Sequence, residues 1–546
     1  MKTSNYLLKI TFVCALSFFF VACSEEKVVK HSRHIPREHI NWEAPVAKAL
    51  AREKLCDTLI DQDLIKSMQE NGVSVIETRL VWNEIEAQKG KFDYSRIEKD
   101  MDLIEKNGFK VGIFNWFQHP PKWVDLTRLR CLDHNEDSTI ISLWDTRYLE
   151  EYDRLLKDFA QKYGNRVGFL YVGIFGDFGE VTFPLGVKHY KFSPPHNHYK
   201  GFWCGDKLAR ADFKKYIQAK YKTIDALNKS WKTNFKSFDE DLMPKMPFEN
   251  NDINTRIDLA KWYSKSLLEF TDKICAIARK HFPETPMGLP IGCLFESLLG
   301  GQGQHKSEAA KIAAKYNITA RWTGVAYTKE FPKTNVSTKR LSSPARFYGA
   351  KFGVEAAAGI KGERVVAAIY ESLANSSSMF HNDPASILRE LPQYKEYDKY
   401  LKCLPVYCDK AIFYPWLAEI TSSINIRDFF TEFANVRRHC DYELADEKMI
   451  KDGFLNTVKE LILVKNTPIP QETVAELKKW EEKGGRIYYM KGFPPVVLET
   501  NQPITLGKPV ENLDFFGKND GCFYTNHGNV ISKFDPIKRT IEFLKK

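Results

Sequence analysis

The sequence predicts an α/β protein, in which a (β/α)8 barrel precedes a smaller flavodoxin-like α/β domain and a short C-terminal β-rich segment. Two observations predict this fold. Strands that are apolar on both faces alternate with amphipathic helices, which is typical of a parallel sheet covered by helices. Eight such units fit between residues 39 and 405, a length that suits a barrel with loop insertions.

The elements of the barrel follow in order. Apolar residues at helical spacing predict a helix over residues 57–71, ended by Asn71-Gly72, and a second helix runs from Asp93 to Asn107-Gly108. Further helices are predicted at 145–163, 253–281, 307–316 and 362–374. Runs of β-forming residues predict the eight strands at 39–42, 73–82, 109–116, 167–175, 287–292, 320–327, 351–355 and 377–380.

The pattern changes after Tyr407, where shorter strands and helices predict a second layer. The strands are expected at 411–416, 460–464 and 486–490, and the helices at 428–436 and 471–483. Residues 493–546 are rich in Gly, Asn and Pro and predict short β structure. We therefore expect a barrel over 39–405, a flavodoxin-like domain over 406–492 and a small β-rich segment over 493–546.

Composition excludes several classes of protein. The 546 residues are 43 % hydrophobic and 13 % aromatic, which excludes a disordered chain, and their length exceeds what one core supports. The net charge is +10, but we find no long basic run and no nucleic-acid-binding motif, so nucleic acid is not an expected partner.

The N-terminus resembles the leader of a bacterial lipoprotein. Lysines precede an apolar run, Thr11 to Ala22, that is too short to span a bilayer and that ends in Val21-Ala22-Cys23. We expect residues 1–22 to be a signal peptide, Cys23 to be lipidated and 23–38 to be a linker, which places the protein in the cell envelope, anchored to the outer membrane. The alternative is an ordinary secretory signal in which Cys23 is incidental.

Two glutamates follow barrel strands, where barrel enzymes carry their chemistry. Glu180 comes after the fourth strand in Gly176-Asp177-Phe178-Gly179-Glu180, and Glu355 ends the seventh strand among Val and Ala residues. Two carboxylates at a barrel mouth suit glycoside hydrolysis, since one protonates the leaving oxygen and the other attacks or activates water. The alternatives are a turn or capping acid for Glu180 and a solvated or ion-paired acid for Glu355.

Several motifs resemble those of family 42 glycoside hydrolases. The stretch 82–94 (WNEIEAQKGKFDY) is similar to their motif after the second strand, with Ala87 where Pro is usual. His119-Pro120-Pro121-Lys122-Trp123 is similar to their Pro-Pro-x-Trp turn, and 221–231 (YKTIDALNKSW) resembles their helical insertion. Cys440-Asp441-Tyr442-Glu443 and Gly484-Gly485 are similar to their middle domain.

This resemblance implies a retaining β-glycosidase, with Glu180 as acid/base, Glu355 as nucleophile, galactosides as the first candidate substrates and a homotrimer as the assembly. The chain thereby resembles a wider clan of barrel glycosidases, clan A, whose acid/base ends strand four and whose nucleophile ends strand seven. One departure matters: this clan usually has Asn immediately before the acid/base, and this chain has Gly179. The turn 179–184 (GEVTFP) is instead similar to that of β-amylases, which invert configuration. An inverting hydrolase with a different base, and a glycan-binding lipoprotein without turnover, therefore stay open as alternatives.

Other residues are candidates for binding a sugar. Arg79 ends the second strand and is expected to hold the charge of the nucleophile, unless it pairs with Glu77 or Glu84. The charge of Asp177 favours a protonated Glu180. By resemblance Tyr327 binds the nucleophile, with rim packing as the alternative. The remaining candidates are His119, His381 and four tryptophans, which stack on sugars or pack in the core: Trp116, Trp123, Trp203 and Trp322.

The loop from Lys188 to Lys200 is basic and aromatic, which suits an anionic sugar; the alternative is a solvated loop. Its His196-x-His198 pair has no third ligand at a sensible spacing, so we expect neither a metal nor a cofactor.

Overall fold

A computed structural model describes residues 61–70, 73–184, 201–292, 299–325, 331–356, 370–381, 406–517, 519–527, 530–538 and 540–545. The predicted strand at 39–42, the leader with Cys23, the loop from Lys188 to Lys200 and Tyr327 lie outside these residues.

The first part of the chain builds a parallel sheet with helices between its strands. The strands up to His381 are β1 (Val75–Val81), β2 (Lys110–Trp116), β3 (Arg128–Arg130), β4 (Asp137–Ile141), β5 (Val167–Tyr171), β6 (Met287–Gly292), β7 (Thr319–Val325), β8 (Phe352–Ala356) and β9 (Met379–His381). Strands β3 and β4 form a separate antiparallel pair. The other seven form one sheet in the order β1-β2-β5-β6-β7-β8-β9, and every neighbouring pair is parallel. These seven confirm the predicted second to eighth strands and the barrel-type fold.

Helices alternate with the strands of this sheet, and insertion helices pack on one of them. They are α1 (Gln62–Glu70), α2 (Trp82–Ile85), α3 (Ser95–Lys106), α4 (Arg147–Tyr163), α5 (Lys207–Tyr221), α6 (Ile224–Trp231), α7 (Ile253–His281), α8 (Leu299–Gln302), α9 (Lys306–Lys315) and α10 (Phe331–Tyr348). Helix α7 and strand β6 have the bounds that the sequence predicts. The predicted strand 167–175 ends early, at Tyr171, because the backbone of Gly173 bonds to side chains: its N–H donates to Asn115 Oδ1, and its carbonyl accepts from the Tyr152 hydroxyl.

The two faces of the sheet bury different side chains. On β1, Ile76 and Leu80 pack in the large core with the helices, whereas Val75 and Val81 belong to a small separate cluster. The small cluster holds residues from four strands of the sheet: Val75, Val81, Phe114, Trp116, Phe169, Tyr171 and Met379. Because side chains alternate along a strand, this cluster marks the concave interior of the barrel.

The second domain is a parallel sheet of five strands in the order β11-β10-β12-β14-β16. Its region contains β10 (Lys410–Phe413), β11 (Glu443–Ala445), β12 (Glu460–Leu463), β13 (Pro468–Ile469), β14 (Arg486–Met490), β15 (Val496–Val497) and β16 (Lys508–Val510), with α11 (Trp416–Ile420), α12 (Ile426–Arg437), α13 (Glu447–Lys451) and α14 (Gln471–Glu482). Strands β11 and β16 were not expected. Since β16 pairs with β14, this sheet reaches Val510, beyond the expected boundary at residue 492.

The C-terminal segment is a three-stranded antiparallel sheet of β17 (Phe523–His527), β18 (Val530–Asp535) and β19 (Thr540–Lys545), which confirms the predicted β-rich end. Arg437 of α12 bonds to the carbonyl of Tyr524, and the Tyr370 hydroxyl donates to the carbonyl of Phe523 at 3.0 Å. The segment is thereby tied to both larger parts of the molecule. In the portion of the chain described above, no helix has the length and apolar character needed to cross a membrane.

Candidate active site

Glu355 lies at the end of β8 and is held by a buried arginine. Glu355 is only 6 % exposed, and its Oε2 is 3.0 Å from Nη2 of Arg321 on the neighbouring strand β7. On the other side, Glu355 is directly opposite His381 of β9. A carboxylate buried this deeply stays ionised only when a cation compensates its charge, and Arg321 does so.

The contacts of Glu355 continue across the barrel interior through charged side chains and the neutral ring of His381. Arg321 Nη1 is 2.6 Å from His381 Nδ1, and His381 Nε2 is 3.4 Å from Glu77 Oε2. Arg79 Nε is 4.0 Å from the other oxygen of Glu77. Because a guanidinium only donates hydrogen bonds, Nδ1 of His381 must accept and the ring proton sits on Nε2, facing Glu77. We call Glu355, Arg321, His381, Glu77 and Arg79 the charge relay of the barrel.

Aromatic rings form the walls around this charge relay. The Arg321 guanidinium lies 4.8 Å from the ring centroid of Tyr171, and that of Arg79 lies 4.4 Å from the centroid of Trp116. The ring of His381 stacks on Tyr171 at 5.0 Å. Burial by itself lowers the pKa of Arg321, but the acids around it, among them Glu355, Glu77 and Glu180, raise it above the ordinary value. Arg321 is therefore charged, and Glu355, Glu77 and Glu180 all interact electrostatically with it.

Glu180 is held by a tight turn after β5. The pair Phe175 and Glu180 forms an isolated bridge, and Gly179 between them has a φ of +71°, a conformation that favours glycine. A Cβ at position 179 would lie 3.1 Å from the Phe114 ring and 3.2 Å from the Trp116 ring. Both the backbone conformation and this crowding therefore favour glycine at position 179.

The carboxylate of Glu180 rests on the end of another strand. It occupies the space that a Cβ on Gly292 would need, at the last residue of β6. Glu180 itself is only 3 % exposed. The glycine is therefore what lets the carboxylate of Glu180 lie against the barrel strand.

Asp177 and His119 join the loops after β2 and β5. His119 Nε2 is 3.2 Å from the carbonyl of Asp177, so this nitrogen carries the proton. The His119 ring lies 5.8 Å from that of Trp116, and all three residues are buried. Of the sequence-predicted site residues, Glu355, Arg79, Trp116 and His381 thus meet in the interior, and His119 with Asp177 lies beside them.

Three predicted sugar-stacking tryptophans pack elsewhere. Trp322 belongs to the helix-side core, with Lys306 Nζ 5.2 Å from its ring centroid, because Arg321 and Thr323 take the inward positions of β7. Trp203 is completely buried in the same core. Trp123 packs edge-on against Trp82 at 6.1 Å and donates to the carbonyl of Glu86. For these three the structure supports the packing alternative.

Sequence reasoning missed two members of the charge relay. Arg321 was not singled out, and Glu77 was considered only as a structural partner of Arg79. The signal was present in the alternation of β1 and β7, where polar residues at every second position, Glu77 with Arg79 and Arg321 with Thr323, interrupt apolar strands. Among the side chains that the structure describes, no group of three or more His, Cys, Asp or Glu residues could hold a metal ion.

Parts of the chain are similar to known proteins. The family model for β-galactosidases of glycoside hydrolase family 42 matches residues 53–171 and 195–330. The chain is similar to this family over those residues, which make up less than half of its length. It is 25 % identical over 249 residues to β-galactosidase BbgII of Bifidobacterium bifidum, covering 44 % of this chain and 34 % of that protein. It is 24 % identical over 295 residues to a thermophilic β-amylase of Thermoanaerobacterium thermosulfurigenes, covering 48 % and 51 %. The present chain thus spans about half or less of the length of these two proteins.

Solved structures share the fold over a larger part of the chain. The β-galactosidase from the psychrophilic Marinomonas ef1 aligns with a TM-score of 0.64 and 12 % identity, covering 90 % of this chain and 95 % of that chain. An exo-carrageenase of family 42 from Bacteroides ovatus aligns with a TM-score of 0.59 and 12 % identity, covering 86 % and 74 %. These likenesses establish the barrel followed by the smaller α/β layer.

Proposed function

We propose that this protein is a retaining β-glycosidase in which Glu355 is the nucleophile and Glu180 the acid/base. The observation that carries the proposal is the buried ion pair of Glu355 with Arg321, at a strand end inside the barrel. Glu180, on the turn after β5, also interacts electrostatically with Arg321. The family match supports the reaction class, and the β-galactosidases among the relatives make galactosides the first candidate substrates.

Each residue then has a defined task. Glu355 attacks the anomeric carbon while Glu180 donates its proton to the leaving oxygen, which breaks the glycosidic bond and leaves a glycosyl ester on Glu355. Glu180, now ionised, takes a proton from water, and the water oxygen attacks the anomeric carbon and releases Glu355. Arg321 acts as a positioning residue, because its contact fixes one oxygen of Glu355.

Two observations bear on the substrate class. The loop from Lys188 to Lys200 carries three lysines. One of the solved structures that share the fold of this chain is an exo-carrageenase. Both support an anionic galactan as a substrate beside neutral galactosides. If the loop binds the anionic groups, the triple substitution of Lys188, Lys191 and Lys200 by Ala should raise KM on a sulfated galactan more than on a neutral one.

An inverting hydrolase is the second candidate, since Gly179 and the turn that follows it are similar to β-amylases and one relative is a β-amylase. Loss of turnover, the remaining alternative, is disfavoured because Glu355, Arg321 and Glu180 are all buried in the barrel. A panel of aryl glycosides and anionic polysaccharides, assayed with Glu355→Ala and Glu180→Ala variants, tests the proposal. We expect Glu355→Ala to abolish turnover on every substrate, whereas Glu180→Ala spares substrates with good leaving groups. Near-normal turnover by Glu355→Ala would refute the assignment.

We also propose that Cys23 anchors the protein to the outer membrane through lipid, on the strength of the leader sequence. Fractionation of cells that express Cys23→Ala tests this: the variant should leave the membrane fraction, and unchanged membrane association would contradict the anchor. A trimer, implied by the resemblance of the middle domain, is tested by the mass of the purified protein in solution.

A further inference from the structure

Residues 302–307 run from the end of α8 into the first turn of α9, and we call them the bracing segment. Apart from Gly303 its side chains are polar or charged, and all of them are buried: Gln302, Gln304, His305, Lys306 and Ser307. The reaction proposed above uses none of these side chains. Burying so many polar groups in a short stretch costs free energy unless they have partners, so their contacts show what the bracing segment holds.

On the barrel side, Gln304 holds the strand end on which Glu180 rests. The side-chain N–H of Gln304 donates to the carbonyl of Gly292, the last residue of β6. The carboxylate of Glu180 occupies the space beside the Cα of that same glycine. Oε1 of Gln304 accepts from Lys306 Nζ at 3.1 Å. Because an ammonium group only donates, this contact fixes the orientation of the Gln304 amide, with its N–H towards Gly292.

The backbone of the bracing segment also holds the residues that follow Glu180. The carbonyl of Gln302 accepts from the N–H of Phe183 at 3.1 Å. The N–H of Val181 donates to the carbonyl of Pro290 in β6 at 2.9 Å. The turn that carries Glu180 is therefore bonded to β6 and to the bracing segment.

The second domain holds the bracing segment from the other side. The indole N–H of Trp416 in α11 donates to the carbonyl of Gln304 at 2.8 Å, and its ring packs on His305 with centroids 3.8 Å apart. The hydroxyl of Ser307 donates to the carboxylate of Asp446, the residue that caps α13. Two elements of the second domain thus contact the stretch that contains Gln304.

We propose that Gln304 is a positioning residue for Glu180, and that Trp416 and Asp446 of the second domain hold Gln304 in place. This inference rests on the proposed role of Glu180 as acid/base. A general acid must keep its proton within hydrogen-bond reach of the leaving oxygen, so a shift of the peptide group beneath its carboxyl slows bond cleavage. The second domain thereby influences the acid step through Gln304.

The test compares kcat/KM, which reports cleavage of the glycosidic bond, on two glycosides of the preferred sugar. A dinitrophenyl glycoside needs little protonation of its leaving group, whereas a methyl glycoside needs it fully. Gln304→Met keeps the length of the side chain and loses both of its bonds. We expect it to lower kcat/KM on the methyl glycoside about ten- to hundredfold, because a misplacement of about 1 Å can cost about 100-fold. On the dinitrophenyl glycoside kcat/KM should stay close to the parental value.

Trp416→Phe is the second, milder variant, and it decides the outcome if Gln304→Met does not fold. It keeps a ring against His305 but removes the N–H that bonds to Gln304, so it should show the same preferential loss on the methyl glycoside. Ser343→Ala is the matched control, because it removes another buried bond between the barrel and the second domain, to Glu443. This control should affect both substrates equally, and urea unfolding checks that each variant is folded.

Glu180→Ala is the reference for the preferential loss. If Glu180→Ala affects both glycosides equally, its proposed role as acid/base is wrong and the inference falls with it. If Glu180→Ala shows the preferential loss and a folded Gln304→Met or Trp416→Phe does not, the proposed function stands and the inference alone is overturned.

Discussion

Replacing Arg321 by Gln tests whether this arginine maintains the charge of Glu355. The two groups are 3.0 Å apart and both are buried. At an effective dielectric constant of about 20, unit charges at this separation attract by about 5 kcal/mol. A neighbouring arginine typically favours the ionised form of a carboxyl group by about one to three pH units. We therefore expect the acid limb of the pH profile of kcat/KM to move upward by about one to three units in Arg321→Gln.

The assay is hydrolysis of an activated aryl glycoside over a pH series, compared with unfolding by urea. Breaking a buried ion pair also costs about 3–5 kcal/mol of stability, so loss of activity alone would be ambiguous. Arg340→Gln is the matched control, because Arg340 is equally buried and lies 2.8 Å from Glu419, away from the charge relay. It should lose similar stability without moving the acid limb.

Arg321→Lys serves as the conservative variant. A lysine keeps the positive charge near Glu355 but cannot bridge to His381 with a second nitrogen. The acid limb of this variant should stay close to that of the parent. If the pH profiles of the Gln variant and the parent superimpose after normalisation, Arg321 does not control the ionisation of the nucleophile, and the reasoning is wrong.

The remaining predictions concern two glycines beside the site and one buried glutamate. Gly292→Ala should displace the Glu180 carboxylate, so kcat should fall more on substrates with poor leaving groups than on those with good ones; a uniform loss would contradict this. Gly179→Ala should lower the urea-unfolding free energy by about 1–2 kcal/mol, because an alanine there is strained at φ +71°. Burial raises the pKa of Glu371 from its ordinary value of 4.5 to about 7. Stability conferred by its protonated form is present below about pH 4.5 and is lost as the pH rises through about 7, so Glu371→Gln should flatten this loss, by about 3 kcal/mol at most.

Long periodic elements of the fold were readable from the sequence. Helix α7 carries an apolar stripe with an Asp252 cap, and β6 is apolar throughout, so local signals and tertiary packing agree there. Strand β16 could not be predicted, because its Pro509 lies between two residues of an edge strand where no apolar alternation is required. Short edge strands are specified by their neighbours in space and leave little local signal.

The part of the candidate site that lies at or near strand ends could be predicted from the sequence. Glu180 follows an apolar strand, and Glu355 and Arg79 lie near the ends of theirs. Arg321 lies in the middle of β7, and only the facing of that strand shows that its side chain reaches Glu355. The same facing explains Trp322, which is adjacent in sequence and points to the opposite side of the sheet. A shift of one residue in a strand therefore separates a site residue from a core residue.

The central claim, that Glu355 forms a covalent intermediate during retaining hydrolysis, is tested most directly with a 2-deoxy-2-fluoro aryl glycoside of the preferred sugar. Such a compound slows the release of the glycosyl ester, so the modified peptide can be identified by mass spectrometry. We predict that the label is on Glu355, and that the first sugar released from a normal substrate keeps its anomeric configuration. Release of the inverted anomer with no labelled peptide, or a label on another carboxylate, would contradict the assignment.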